Sequence, residues 1–278
     1  MMKQVLKQVG ICIFFIALFV GMQVAAQFVL GYGYILYEQL SGGQISGNEL
    51  AANANEFLNN NMELIILISG CATILAVWLF SKIRKKKFIN ECNLVPFNAK
   101  CLLPILLMVI GFDLIISGCF AFLPESIMDA YNSHMGGDEE GVIMTLLSSA
   151  VVAPIVEELI FRGIVMPRLN RMMNIYLAAF LSSMTFGIMH GNIVQITYAV
   201  ILGLVMSFIA VRCASLLASC FFHIVFNAIG SFSITQALLG DTFAVNIIAG
   251  IVGVVIAIAA IIWLYKINDG KPGTVASA

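Results

Sequence analysis

The chain contains eight apolar segments of about the length that a helix needs to cross a bilayer, which is about 20 residues. These segments are continuously apolar rather than alternating, which predicts helices and argues against the strands of a membrane barrel. We therefore predict an all-α polytopic membrane protein, a single integral-membrane domain over residues 1–278, with about eight transmembrane helices. The predicted spans are 9–30, 62–81, 101–123, 142–161, 175–191, 193–211, 213–233 and 244–265.

Composition excludes other classes of protein. Hydrophobic residues make up 61% of the chain and charged residues 10%, whereas soluble proteins have roughly 45–50% and about 25%. A soluble domain of this size would lack the charge that its surface needs, and a disordered chain would need low hydrophobicity. The net charge of −1 offers no basic face for a phosphate backbone, so we expect no nucleic-acid partner.

The distribution of Lys and Arg predicts the orientation of the chain. Basic residues precede span 1, follow span 8 and lie in the connections after spans 2, 4 and 6, with the largest cluster at Lys82–Lys87. The alternate connections, 31–61, 124–141 and 234–243, contain neither Lys nor Arg. Because positively charged connections stay in the cytoplasm, both termini are predicted to be cytoplasmic. The small, polar residues 269–278 are predicted to form a flexible tail.

The second half of the chain carries polar and ionisable residues inside predicted spans. A charge at the bilayer centre costs about 2.5–3.5 kcal/mol or more, so such residues are candidates for a functional site. Glu158 and Arg162 are four residues apart, which suits an ion pair on one helix face, whereas the adjacent Glu157 points about 100° away. Polar residues can also simply bridge helices, but a set at helical spacings favours a shared site. The set is Glu157, Glu158, Arg162, His190, His223 and Asn227.

Helix geometry predicts how deep these groups lie. Pro154 is expected to kink span 4 just before the glutamates, because it frees the carbonyl of Ala150. Span 4 as bounded puts Glu157 in the inner third of the membrane, and span 5 puts His190 about 22 Å from its inner end. That is too far outward for contact, so we expect span 5 either to begin a turn or two later and continue past Gly191, or to be tilted. Asp113, in span 3, is predicted either to bridge helices or to join the site.

Spans 4, 5 and 7 each carry a motif, namely Glu157-Glu158-x-x-x-Arg162, Phe186-x-x-x-His190 and His223-x-x-x-Asn227. In this order the motifs resemble those of the CPBP family of intramembrane proteases, which includes the Ras-converting CAAX prenyl proteases and the bacterial Abi-type membrane proteins. The resemblance covers about residues 142–233, which it marks as the catalytic core. It implies an intramembrane endopeptidase of the bacterial cell membrane, with a buried polar cavity and a membrane-associated peptide or protein as substrate.

The resemblance also implies roles for single residues. Glu157 would be the general base, and His190 would hold and polarise the attacking water. His223 and Asn227 would donate hydrogen bonds to the oxyanion. Glu158 would orient Arg162, and Phe186, in the second motif, would support the site.

Metal dependence is a separate question. Glu157, His190 and His223 could bind a catalytic zinc ion with an open fourth position, in which case Glu158 would have to be the base. However, HExxH is absent and the two histidines lie on different predicted helices. We therefore favour a metal-independent glutamate mechanism.

Two other functions remain open on the sequence alone. A chain with the same fold could act without catalysis, as a membrane scaffold, a bacteriocin-immunity protein or a regulator of a sensor kinase. The glutamates and histidines could instead carry ions in a transporter or proton relay, although the internal repeat that many transporters have is not visible. The intact set of predicted catalytic residues favours the protease.

Overall fold

The structure, a computed structural model, describes residues 2–41, 46–135, 141–232, 234–240 and 242–267. Every regular element in these ranges is a helix. The prediction of an all-α polytopic membrane protein is therefore confirmed. The predicted flexible tail, 269–278, lies outside the described residues.

Six helices of the described part of the chain are long and apolar enough to cross a membrane, namely α1, α3, α5, α7, α9 and α12. Two shorter apolar helices, α8 and α10, replace predicted spans 5 and 7 and have 14 and 16 residues. The predicted number of eight is thus approximate. The described helices are α1 (Met2–Leu40), α2 (Gly47–Asn59), α3 (Met62–Ile83), α4 (Phe88–Glu91), α5 (Ala99–Phe120), α6 (Glu125–Met135), α7 (Val142–Asn170), α8 (Ile175–Ile188), α9 (Ile193–Arg212), α10 (Leu216–Ser231), α11 (Ile234–Leu239) and α12 (Phe243–Ile267).

Several helix ends differ from the predicted boundaries. The connection 31–61 is largely helical, because α1 continues to Leu40 and α2 follows it. α7 continues past the predicted end at residue 161 as far as Asn170. The added turns belong to the hydrophobic core of the bundle, since Ile164, Val165 and Met166 are all buried. Burial of these apolar side chains stabilises the longer helix.

α7 is the helix around which the site is built. Its N-terminal half packs against α3 and α10, and its C-terminal half packs against α1 and α8. Two stretches of α7, Leu146–Val152 and Phe161–Val165, are π-helical and flank the α-helical Ala153–Ile160. The distortion expected near Pro154 therefore takes the form of wide π turns, which are frequent at functional sites.

Candidate active site

Glu158 and Arg162 form a fully buried ion pair on α7. Arg162 Nη1 donates to Glu158 Oε1 at 2.6 Å, and neither side chain has exposed surface. The guanidinium carbon also lies over the ring of Phe186, 4.5 Å from the centroid. Neighbouring α9 makes room at Gly203, where a Cβ atom would lie only 2.9 Å from Arg162 Nη2. The predicted i, i+4 pair is thus present, and it is closed off on all sides.

Glu158 also ties α10 to α7. Its Oε1 lies 3.2 Å from His223 Nδ1, and its Oε2 accepts a hydrogen bond from the hydroxyl of Ser219. Because an ionised carboxylate can only accept, Nδ1 of His223 carries a proton in this contact. Sequence reasoning missed Ser219, although its spacing of four residues from His223 and eight from Asn227 placed it on the same helix face.

Glu157 points away from this pair into a cavity of about 60 Å³, which we call the active-site cavity. Its carboxylate Oε2 lies 3.6 Å from His223 Nε2, so His223 stands between the two glutamates. A water molecule needs about 10–15 Å³ on this measure, so the cavity can hold a few. Its lining comes from three helices and one turn, namely Phe19 and Gln23 of α1, Glu157 and Phe161 of α7, Phe186 of α8, and Met189 and His190 after it.

His190 lies in the turn that joins α8 to α9. The turn passes through Gly191, whose φ of +75° suits glycine, to Asn192, whose side chain accepts from the backbone N–H of Val194 at 2.9 Å and caps α9. His190 Nδ1 lies 3.0 Å from the carbonyl oxygen of Phe186. Since a carbonyl only accepts, Nδ1 bears the proton, and the lone pair of a neutral ring is on Nε2.

The spans as predicted place His190 and Glu157 at different depths, whereas the structure places them at similar distances from the turn between α7 and α8. The expectation that span 5 begins a turn or two later and continues past Gly191 is wrong, since α8 begins at Ile175 and ends at Ile188. The boundary at fault was the end of span 4. Glu157 lies thirteen residues before the end of α7 and His190 fifteen residues after the start of α8, which is about 20 Å and 22 Å from the turn between them.

Asn227 contacts a different part of α7. Its Nδ2 donates to the carbonyl oxygen of Ser149 at 3.0 Å, in the first π-helical stretch. The hydroxyl of Ser149 in turn donates to Glu63 Oε2 at 2.8 Å. Asn227 lies one turn, about 6 Å, along α10 from His223. The structure thus brings Glu157, His190 and His223 together and leaves Asn227 one turn away, with one amide hydrogen engaged.

Asp113 lies apart from these groups. Its carboxylate accepts a hydrogen bond from the hydroxyl of Thr235, which joins α5 to the short helix α11. Of the two alternatives that the sequence left open, helix bridging is therefore the one that the geometry supports.

The candidate metal ligands do not form a three-residue ligand group in the described part of the chain. Among the described residues, no three His, Cys, Asp or Glu side chains are arranged to hold an ion. Nδ1 of His223 meets Glu158 and Nδ1 of His190 meets a carbonyl, contacts of a kind that metal-bound histidines also make. Glu157, His190 and His223 are not among such groups of ligands, and the metal-independent mechanism stays a prediction.

Comparison with known proteins points to the same part of the chain. Residues 139–229 match a family model described as Rce1-like, type II CAAX prenyl endopeptidase. The candidate membrane peptidase YdiL of Bacillus subtilis is 30% identical over 88 residues, which are 32% of this chain and 36% of that protein. The chain thus spans about a third of the length of this curated relative. No solved structure matches the chain significantly. The segment that carries all three motifs is similar to the Rce1-like CAAX prenyl endopeptidases, which confirms the resemblance to the CPBP family.

Proposed function

We propose that the protein is an intramembrane endopeptidase that hydrolyses a peptide bond of a membrane-associated peptide or protein, using a water molecule activated by Glu157. The observation that carries the proposal is the placement of Glu157, on a membrane-spanning helix, in a cavity that can hold water, beside His190 and His223. An intramembrane carboxylate needs a partner or a function. The nearby cation, Arg162, is paired with Glu158, which leaves Glu157 available for chemistry.

The chemistry begins with a proton transfer. The carboxylate of Glu157 takes a proton from the water while the water oxygen attacks the scissile carbonyl carbon. His190 helps to hold that water through the lone pair on Nε2. The carbonyl oxygen becomes an oxyanion, and the intermediate collapses when the C–N bond breaks and Glu157 returns the proton to the leaving nitrogen. Peptide and water thus become a carboxylic acid and an amine, with Glu157 restored.

Glu158 is a positioning residue in this mechanism. By holding Nδ1 of His223 it directs Nε2 toward Glu157. His223 can donate from Nε2 to the oxyanion only when both ring nitrogens carry protons, and the two flanking carboxylates balance that charge. Asn227 adds a second donor through the amide hydrogen that Ser149 does not use. Donors of this kind in a water-poor site stabilise developing charge strongly, so the mechanism needs no metal ion.

The setting of the enzyme is part of the proposal. The cavity lies within a bundle of apolar helices, so the substrate is one that reaches it from the lipid bilayer. The distribution of Lys and Arg supports a cell-membrane protein with both termini in the cytoplasm. The similarity to Rce1-like endopeptidases and to a candidate membrane peptidase supports the reaction class.

The decisive experiment compares the membrane peptides of cells that carry the wild type, Glu157→Gln or Asp113→Asn. Glu157→Gln removes the proton acceptor at nearly constant shape, so uncut substrate should accumulate, and turnover by the purified protein should fall about 10²–10⁴-fold. Asp113→Asn makes the same carboxylate-to-amide change in another membrane helix, away from the cavity, and should leave the peptide pattern unchanged.

Two results would contradict the proposal. One is the same peptide pattern for wild type and Glu157→Gln when both proteins are folded and equally abundant. The other is normal cleavage by purified Glu157→Gln protein. An ion flux or a binding activity that survives in Glu157→Gln would then favour the transporter or the scaffold.

A further inference from the structure

The active-site cavity has one wall that lies outside the segment similar to CAAX prenyl endopeptidases. Phe19 and Gln23 of α1 form this wall, and Phe186 and His190, which belong to the similar segment, also line the cavity. Phe19 is buried, and its ring meets that of Phe161 edge-on with 6.3 Å between the centroids. α1 is therefore fixed against α7 at this level, and Gln23, one turn further along, lies on the same face of α1.

Gln23 is a polar side chain on an apolar part of α1. Among the described residues its carboxamide makes no hydrogen bond, although it lines the cavity. An amide without a partner is costly in hydrocarbon, because nothing there replaces the hydrogen bonds that it makes to water. Water or a bound ligand in the active-site cavity would remove that cost. The position of Gln23 therefore indicates a contact that forms only when the cavity is filled.

α1 and α8 line the same cavity without packing extensively against each other. In the part of the chain that the structure describes, α1 packs mainly against α2, α3 and α7, while α8 packs mainly against α9 and the C-terminal end of α7. The cavity thus lies at a seam between two helices. Its volume of about 60 Å³ suits a few water molecules and not a peptide. An entering substrate must therefore move α1 and α8 apart.

We propose that the substrate enters between α1 and α8 and that Gln23 binds its backbone there in extended form. This inference rests on the proposed peptidase function. A glutamine side chain has an NH₂ donor and a carbonyl acceptor, so it can pair with the C=O and the N–H of the substrate backbone. Such pairing recognises the backbone whatever its side chains, as in strand addition. It places the neighbouring scissile carbonyl beside Glu157.

The test uses the purified full-length protein in liposomes, with a mixture of palmitoylated, internally quenched peptides of randomised sequence. Gln23→Leu should raise the apparent KM about tenfold, the effect of losing one or two hydrogen bonds, and change kcat by less than about threefold. The matched control is Gln27→Leu, the same replacement four residues further along α1 at an exposed position that does not line the cavity. It should change neither constant.

The unfolding temperature distinguishes substrate binding by Gln23 from a purely structural role. Gln23→Leu removes an unpaired amide from an apolar helix, so its unfolding temperature should not fall below that of the wild type. If Gln23→Leu instead unfolded at a lower temperature than the wild type and lowered kcat about tenfold without changing KM, the proposal would be overturned.

A binding measurement separates this inference from the peptidase itself. Fluorescein-labelled forms of the same peptides are titrated with Glu157→Gln protein, whose affinity should fall about tenfold when Gln23→Leu is added and stay the same with Gln27→Leu. If binding depended on Gln23 but the wild type cleaved no peptide, the result would support substrate entry between α1 and α8 and contradict the proposed peptidase activity. Cleavage that is equally efficient in Gln23→Leu and Gln27→Leu would overturn the entrance and leave the peptidase standing. Absence of peptide binding by the Glu157→Gln protein would overturn the entrance.

Discussion

Replacement of Glu158 should destabilise the protein strongly, because it leaves a buried guanidinium without its counter-charge. Arg162 has no exposed side-chain surface, and its Nη1 is 2.6 Å from Glu158 Oε1. Its Nε and Nη2 have no hydrogen-bond partner among the described residues, so no other acceptor is in place. Removal of one member of a buried ion pair typically costs about 3–5 kcal/mol. Glu158→Gln keeps a carbonyl acceptor and should lower the free energy of unfolding by about 3 kcal/mol. Glu158→Leu has no acceptor and should lower it by about 5 kcal/mol.

Thermal unfolding of the purified protein in detergent measures this effect, with loss of the monomer peak in size-exclusion chromatography as the signal. At about 2–4 °C per kcal/mol for chains near this length, the unfolding temperature should fall by roughly 6–12 °C for Glu158→Gln and 10–20 °C for Glu158→Leu. The control is the double variant Glu158→Leu/Arg162→Leu. Replacing both charges with apolar residues is often close to neutral, so it should recover most of the loss.

The comparison of single and double variants decides whether the ion pair is responsible. If Glu158→Leu unfolded at the wild-type temperature, the guanidinium would have another counter-charge, and Glu157, next along the helix, would be the first candidate. If the double variant were no more stable than Glu158→Leu, the loss would come from packing or from the contacts of Glu158 with Ser219 and His223.

Three further predictions concern the donor, the metal and the orientation of the chain. Asn227→Ala should lower kcat about 10²–10³-fold with little change in KM; unchanged turnover would instead limit Asn227 to supporting the π-helical stretch through Ser149. Cleavage by the purified protein should persist in 1,10-phenanthroline, and a loss of activity that added zinc restores would replace the proposed mechanism by a metal-dependent one. A membrane-impermeant maleimide should label Glu49→Cys but not Lys86→Cys in intact cells, since both positions are exposed and only the second is predicted to be cytoplasmic; the reverse pattern would overturn the topology.

Helix ends were predictable where local sequence marks them. Span 2 is predicted at 62–81 and α3 is Met62–Ile83, which ends within the basic cluster Lys82–Lys87. Span 6 was predicted at 193–211 and α9 is Ile193–Arg212, with Asn192 as its N-cap. In both cases the limits are set by residues adjacent to the helix, a cap or a run of charge, and such signals are visible in a single sequence.

The end of α7 was not predictable in the same way. The predicted span 4 ends at residue 161, directly before Arg162, and an arginine is unfavourable in the bilayer unless it is paired. In the structure its charge is balanced inside the bundle by Glu158 and it stacks on Phe186, a residue of another helix. Whether an intramembrane charge ends a span or lies within it depends on such tertiary partners, and the extra turns of α7 explain why the depth of Glu157 was misjudged.

The residues of the site likewise fall into two groups, those that the sequence predicts from local patterns and those that it does not. The ionisable groups of the site lie inside predicted spans of one segment, where they are unfavourable alone, so their approximate grouping follows from that placement. Ser219 could have been found by extending the spacing of His223 and Asn227 one turn back. Gln23 could not, because no periodicity relates α1 to Glu157, more than a hundred residues away. If α1 supplies the contact with the substrate backbone, the proposed hydrolytic chemistry belongs to residues 139–229, while admission of the substrate depends on a helix outside them. Proteins that share that segment can then differ in how firmly they hold a substrate backbone, because the α1 wall of the cavity lies outside the shared segment.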